Sequence, residues 1–145
     1  MTDSSKGVFS ASISLLPPSV NKMYVYTTRG PRPSAAMRKF RSKAAMELLS
    51  QVPFDMDPLN PNKPHKLTIE FYLPVLVNKG WPKKAKTRFR RRDVSNLVKV
   101  VEDLVSQALG IDDSCFIRIE ISKADGGKHN YEGIKFWIEE LSDEY

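Results

Sequence analysis

The spacing of apolar residues along this chain switches between a period of two and a period of about 3.6. Apolar and polar side chains alternate in four segments, as they do in strands: 8–16, 65–75, 117–121 and 134–138. Apolar side chains recur every three or four positions in two further segments, as they do in helices: 35–50 and 96–109. The order strand, helix, strand, helix, strand, strand predicts an α/β (α+β) fold with a mixed sheet packed against two main helices.

Polar residues between these segments predict how the elements begin and end. Ser34 precedes the first helix, and serine is a favourable helix cap. Residues 124–133 contain the Gly, Asn and Asp residues typical of tight turns, so we expect a hairpin between the last two strands. Residues 25–34 and 51–64 are rich in Pro, Gly or Asn, and we expect both to be surface loops.

Length and composition indicate one domain over residues 1–145. The single cysteine, Cys115, excludes an internal disulfide framework and a zinc site built from several thiols. No apolar run approaches the roughly 20 residues of a membrane-spanning helix, and residues 1–10 lack the apolar segment of a signal peptide. We therefore expect a cytoplasmic protein with no membrane partner.

Charge is distributed unevenly along the chain, whose formal net charge is +6. Residues 6–92 contain 18 Lys and Arg against 4 acids, whereas residues 93–145 contain 5 basic and 12 acidic residues. A basic region beside an acidic one is typical of a surface that binds a polyanion next to a charged site, and nucleic acid is the commonest polyanion. Charge alone leaves open that the basic region has no specific partner.

Acidic residues flank the second predicted helix at both ends. Asp93 and Ser95 lie where the helix begins, and Asp112 and Asp113 follow where it ends. Adjacent acids before an apolar strand are costly unless a cation neutralises them, and Mg²⁺ prefers carboxylates, water and substrate phosphates as its ligands. Beside a basic surface, such carboxylates indicate a metal-dependent site that cleaves phosphodiesters.

The polar face of the same helix carries Asn96, Lys99 and Asp103, which are spaced i, i+3 and i+7. A lysine next to metal-binding carboxylates fits the same kind of site. Each charged residue also has a purely structural alternative: a surface salt bridge for Lys99 and Asp103, a helix cap for Asp93 or Ser95, and a turn for Asp112 and Asp113.

Two segments resemble the RusA-type Holliday junction resolvases. Residues 90–113, RRRDVSNLVKVVEDLVSQALGIDD, are similar to that family's basic run, D-x-D-N-L-x-K motif, helix and D-D pair. Residues 16–34, LPPSVNKMYVYTTRGPRPS, are similar to its opening segment, with Pro-Pro, an Asn-centred turn, an aromatic residue and a Gly-Arg-type loop. The resemblance covers most of the chain and is weakest across 52–65.

This resemblance implies a homodimeric, mixed-sheet endonuclease of phage or prophage origin, acting in the bacterial cytoplasm on four-way DNA junctions by paired, symmetric nicks. It implies magnesium as the cofactor, with manganese as a substitute. Asp93 and Asp113 would be metal-binding catalytic acids, with Asp112 as a further ligand. Lys99 would be the catalytic lysine and Asn96 a supporting site residue.

The resemblance also assigns two basic segments, 22–43 and 79–92, to the junction arms, which they would bind through phosphates. The candidate DNA-binding residues are Asn21, Lys22, Arg29, Arg32, Lys83, Lys84, Lys86, Arg88, Arg90, Arg91 and Arg92. Trp81 and Phe89 lie within the second segment, where they either stack on bases or pack back on the core.

Ser95 departs from the family motif, which has an aspartate at that position. Serine removes one negative charge from the site, although its hydroxyl can still bind magnesium or a metal-bound water. Asp112 or Asp103 would then supply the missing carboxylate. The departure leaves open weak catalysis, an altered metal requirement, or a non-catalytic protein that binds branched DNA. A basic scaffold protein of a phage replication or packaging complex is a further alternative to the nuclease.

Overall fold

A computed structural model describes residues 5–90 and 94–142 of the chain. The elements, in chain order, are β1 (Ser5–Ile13), β2 (Tyr24–Thr27), β3 (Gly30–Pro33), α1 (Ala35–Gln51), β4 (His65–Leu73), α2 (Val98–Leu109), β5 (Phe116–Asp125), α3 (Gly126–His129) and β6 (Gly133–Leu141). No helix within the described ranges is long and apolar enough to cross a membrane.

The main sheet has four strands in the order β1-β6-β4-β5. Strand β6 is antiparallel to both β1 and β4, whereas β4 and β5 are parallel. Parallel neighbours need a long crossover connection, and α2 lies in the one that joins β4 to β5. The predicted mixed sheet and single small α+β domain are confirmed.

The predicted hairpin between the last two strands is wrong. Residues 126–129 form the short helix α3, and β6 lies between β1 and β4 instead of beside β5. Gly133 allows this insertion, because it has a φ of +142° and a Cβ there would collide with the Ile13 carbonyl. Ile134, Phe136 and Ile138 consequently become fully buried in the centre of the sheet.

Helices α1 and α2 supply the apolar layer that covers the sheet. Helix α1 buries the four residues at helical spacing, Met37, Phe40, Ala44 and Leu48, as predicted. Helix α2 buries Val100, Val101, Leu104 and Val105. These side chains form one core with the inward-facing residues of β4, Leu67, Ile69 and Phe71. Ser34 caps α1 as predicted, since its side chain accepts a hydrogen bond from the Met37 N–H at 3.1 Å.

The predicted loop over 25–34 is instead mostly a β-hairpin. Strands β2 and β3 pair antiparallel as a separate two-stranded sheet, and Gly30 has a φ of +101° where the second strand begins. All four residues of β2 are exposed. Because this hairpin buries no face, it carries no alternating apolar pattern from which it could be predicted.

Candidate functional site

An ion pair joins the start of α2 to the segment just before β5. Lys99 Nζ donates to Asp113 Oδ2 at 2.6 Å, and it lies 3.3 Å from Asp103 Oδ1. Lys99 and Asp103 are one helical turn apart, so the predicted salt bridge is present. The contact with Asp113 is not local, because Asp113 lies 14 residues after Lys99. It forms only because the chain turns back after the end of α2.

The turn between α2 and β5 sets the position of Asp113. Helix α2 ends at Gly110, which adopts the left-handed conformation with a φ of 66°. Ile111 then packs into the core, and a 3-10 turn covers Asp113–Cys115. Asp112 caps that turn by accepting from the Ser114 N–H at 2.9 Å. The structural alternative for Asp112 is therefore observed, and it leaves the Asp113 carboxylate beside Lys99.

Hydrogen bonds fix the charge of these groups. The carboxylates of Asp113 and Asp103 raise the pKa of Lys99 well above its ordinary value, so the lysine is a cation at any physiological pH. Hydrogen bonds from Ser114 lower the pKa of Asp112, which stays ionised. The site therefore combines a permanent cation with neighbouring carboxylates.

Glu102 is a further acidic group of the site, and it is not among the residues that the sequence motifs indicate. It lies on α2 three residues after Lys99 and is half-buried. Burial and then the neighbouring carboxylate of Asp113 raise the pKa of Glu102. The i, i+3 spacing from Lys99 is the sequence signal that could have found it.

The predicted residues at the start of α2 lie in a 3-10 turn, Ser95–Leu97, that leads into the helix. Ser95 and Asn96 are both exposed there. Val94 and Leu97 hold the cap positions of the turn and the helix, and neither makes a side-chain capping bond. Ser95 therefore lies inside the 3-10 turn and holds neither cap position. Asp93 lies outside the described residues, as do Arg91 and Arg92.

The carboxylates near Lys99 are chemically suited to a divalent cation. Asp113 and Glu102 are close enough for one to raise the pKa of the other, and a bound cation relieves such repulsion. Within residues 5–90 and 94–142, no three His, Cys, Asp or Glu side chains are grouped closely enough to form a metal site by themselves. The predicted ligand Asp93 is not among those residues.

The first basic segment is organised around the β2–β3 hairpin. Asn21 and Lys22 lie in a 3-10 turn just before it, while Arg29 occupies its tip and Arg32 its second strand. The Ser34 hydroxyl donates to the Lys22 carbonyl at 2.6 Å, which ties the turn to the start of α1. The predicted basic residues thus project from an ordered ribbon.

The second basic segment folds back on itself between residues 76 and 90. Arg90 N donates to Leu76 O at 2.9 Å, and Asn78 N donates to Arg88 O at 2.8 Å. The Arg88 guanidinium lies 5.4 Å from the Trp81 ring centroid and 5.3 Å from the Phe89 ring centroid. Trp81 is 43% exposed and Phe89 50% exposed, so the alternative that these aromatics pack back on the core is wrong.

Comparison with protein families agrees with the arrangement of these residues. The family model described as endodeoxyribonuclease RusA matches residues 16–135, which include both basic segments and the Lys99–Asp113 pair. The chain belongs to the RusA endodeoxyribonuclease family. The resemblance noted from the sequence is thereby confirmed. Comparison with curated proteins finds no significant match.

Proposed function

We propose that this RusA family protein is a magnesium-dependent, structure-specific endodeoxyribonuclease that resolves four-way DNA junctions, with manganese as a substitute metal. The contact between Lys99 and Asp113 carries the proposal, because it places a cation among carboxylates at one spot on a basic domain. Paired nicks need two sites related by a two-fold axis, so we further propose a homodimer.

Some carboxylates of the site would bind the metal, and others would only add negative charge near it. Asp93 and Asp113 would hold the metal, and Glu102 would add a further negative charge beside Asp113. Asp112 remains a candidate ligand, although its Oδ1 already accepts from the Ser114 N–H. A bound magnesium ion supplies Lewis-acid polarisation of the scissile phosphate and an activated water.

Lys99 would stabilise negative charge that develops on the phosphate oxygens during cleavage. Its ammonium group is held by two carboxylates in this structure, so its position is set before DNA binds. Asn96 lies one turn earlier along the chain and would orient substrate or a metal-bound water. Ser95, exposed at the same end of α2, would offer a neutral oxygen where the family motif has an aspartate.

The basic segments would hold the junction arms. Five basic side chains of these segments are exposed. They are Arg29 and Arg32 on the β2–β3 hairpin, and Lys83, Lys84 and Lys86 in the second segment. Such side chains bind phosphates without reading sequence. The exposed Trp81 and Phe89 rings next to Arg88 offer flat surfaces on which unpaired bases at the branch point would stack.

The test is a cleavage assay on a labelled, immobile four-way junction, with products separated on a denaturing gel. Wild type should make paired, symmetric nicks with magnesium or manganese and none with EDTA. Asp113→Asn should abolish the nicks while junction binding persists. Asp57→Asn is the matched control, because Asp57 is an exposed acid in the loop before β4.

The Ser95→Asp variant separates the remaining alternatives. If wild type binds junctions but never cuts them, the protein is a branched-DNA binder, and cutting gained by Ser95→Asp would trace the loss to one carboxylate. Equal affinity for junction and duplex at matched salt would point to a scaffold protein instead. Either result would contradict the nuclease proposal.

A further inference from the structure

An open groove of about 360 Å³ lies between the segment that follows β1 and the first half of α1. Leu15, Leu16 and Pro18 form one wall of this groove, and Ala36 and Phe40 of the helix lie in the other. Ligand pockets have volumes of about 300–1,000 Å³ and are lined mainly by apolar side chains, so the groove has the size and the lining of a binding site. None of its lining residues belongs to the Lys99–Asp113 site.

Hydrogen bonds on both sides of the groove hold its two walls together. Glu47 Oε1 on α1 accepts from Ser14 N at 2.9 Å and from the Ser14 hydroxyl at 2.6 Å, just before the first wall begins. The Ser34 hydroxyl, at the start of α1, donates to the Lys22 carbonyl at 2.6 Å, shortly after that wall ends. The segment that forms the wall is therefore fixed to the helix at both ends. A groove that exists before its ligand arrives loses little entropy on binding.

Two lysines complete the lining on the helix side. Lys39 and Lys43 are one helical turn apart and exposed, and neither forms an ion pair with another residue in the part of the chain that the structure describes. Glu47 is the only acid of α1, and its Oε1 accepts the two bonds from Ser14. Because like charges one turn apart repel each other, a negatively charged ligand is favoured beside these lysines.

An occupant of this groove must bring apolar and negative groups together. We propose that the groove binds an acidic peptide segment of a partner protein, whose apolar side chain fills the groove and whose carboxylates pair with Lys39 and Lys43. The helix presents both kinds of contact on one face, formed by four residues at helical spacing: Ala36, Lys39, Phe40 and Lys43. An apolar anchor in a pocket with charged groups around it is a common arrangement in peptide recognition.

DNA is the competing occupant, because Lys39 and Lys43 belong to the first basic segment. Phosphates would pair with the lysines, but the DNA backbone has no apolar group to place against the rest of the lining. A base would need an exposed aromatic ring on which to stack, and Phe40 is only 4% exposed. The lining therefore favours a peptide over DNA, and the inference goes beyond the proposed nuclease function.

Fluorescence anisotropy with synthetic peptides tests the proposal. The probe is a fluorescein-labelled peptide in which aspartates flank a Phe-Leu pair, and it should bind wild type. Two altered probes should each bind about tenfold more weakly, one with Ser-Ser in place of Phe-Leu and one with asparagines in place of the aspartates. Equal binding of the Ser-Ser probe would show that charge alone attracts the peptide. That result, or no binding of the first probe, would overturn the proposal.

Filling the groove tests where the probe binds. Ala36→Met places a larger side chain in the groove and should weaken probe binding about tenfold, while helix α1 persists because methionine is a good helix former. Ala35→Met is the matched control, since Ala35 is the neighbouring exposed alanine and lies outside the lining. Equal probe affinities of the two variants would place the peptide elsewhere and contradict the proposal.

Reversing charge tests the lysines on the same helix. Lys39→Glu and Lys43→Glu should each weaken probe binding about tenfold, whereas Arg41→Glu should leave it within about twofold of wild type. Arg41→Glu changes the net charge equally, but Arg41 lies outside the groove lining. The same loss in all three variants would mean that net charge governs binding, and the proposed site would then be wrong.

Junction binding in the absence of metal separates the peptide from DNA. Ala36→Met should bind a labelled four-way junction as tightly as wild type does. If it weakens junction binding as much as probe binding, DNA occupies the groove and the proposal is overturned. None of these measurements requires cleavage, so this inference and the nuclease function fail separately.

Discussion

At the scale of single residues, the site separates groups that stabilise the fold from groups available for chemistry. Lys99 is exposed, and Asp113 keeps about a third of its side chain in contact with solvent. Exposed ion pairs contribute little to stability, because water screens them. The pair at the start of α2 therefore adds little to the stability of the fold, and its proposed catalytic role can be tested separately from folding.

Lys99→Met should remove activity while leaving the fold intact. We expect junction cleavage to fall by about 100-fold or more, since a positioned cation that stabilises developing charge is removed. The urea unfolding midpoint should stay close to that of wild type. Gel assays of cleavage and equilibrium unfolding of the same preparation measure the two effects. Loss of stability in step with activity would instead indicate a structural role.

Tyr72 should make stability depend on pH in the alkaline range. Its hydroxyl donates to Glu70 Oε2 at 2.6 Å, and this bond together with burial raises the pKa of Tyr72 to about 12. The neutral phenol is thus favoured by folding. This stabilisation is complete below the unfolded pKa of about 10 and is lost as the pH rises from there through about 12.

Tyr72→Phe removes the titrating group, so the variant should lose less stability than wild type between pH 8 and pH 11. Urea unfolding midpoints at the two pH values measure the difference. Tyr26→Phe is the matched control, since Tyr26 is 87% exposed. This variant should lose as much stability between the two pH values as wild type does. A decline in Tyr72→Phe as steep as in wild type would assign the effect to other groups.

At the scale of elements, the start of α1 is linked to the first basic segment through Ser34. Ser34→Ala removes the cap of α1 and the bond to the Lys22 carbonyl, and we expect it to lower the free energy of unfolding by about 1–2 kcal/mol. Ser50→Ala is the control, because its hydroxyl only bonds a carbonyl in the last turn of the same helix. Equal effects in urea unfolding would show that the cap contributes little.

The second basic segment offers a different element-scale prediction. Trp81→Ala removes an exposed ring beside Arg88, and we expect junction affinity to fall by about five- to 150-fold, as base stacking contributes roughly 1–3 kcal/mol. Phe54→Ala is the control, since Phe54 is also an exposed aromatic residue but lies in the loop after α1, outside the basic segments. Fluorescence anisotropy with a labelled junction measures both variants.

Elements with an alternating or helical apolar pattern were predictable from the sequence, and those without such a pattern were missed. Helix α1 repeats its apolar residues at helical spacing, and the buried set matches that spacing. The β2–β3 hairpin lies in solvent, so its residues carry no such pattern. Strands β5 and β6 show the same alternation although one is an exposed edge and the other central, because alternation does not specify which neighbours a strand will have.

At the scale of the whole molecule, the site depends on contacts that local patterns only partly reveal. The D-D pair after the helix indicated acids near Lys99, and the family motif gave them roles. The chain turns back at Gly110 and Ile111. Because of this turn, Asp113 contacts Lys99 and Asp112 caps the 3-10 turn. Glu102 was missed because its importance comes from partial burial beside Asp113, which follows from the packing of α2.

The uneven distribution of charge leads to a prediction for the molecule as a whole. If the basic segments bind phosphates, the logarithm of the junction affinity should fall linearly with the logarithm of salt concentration. Combining Lys83→Ala with Lys84→Ala should make that slope shallower by about 1 for each phosphate that the protein no longer neutralises. Lys128→Ala is the control, since Lys128 is an exposed lysine in the acidic part of the chain and should leave the slope unchanged. A common change in slope for all three lysines would mean that net charge, and not a defined basic surface, governs DNA binding.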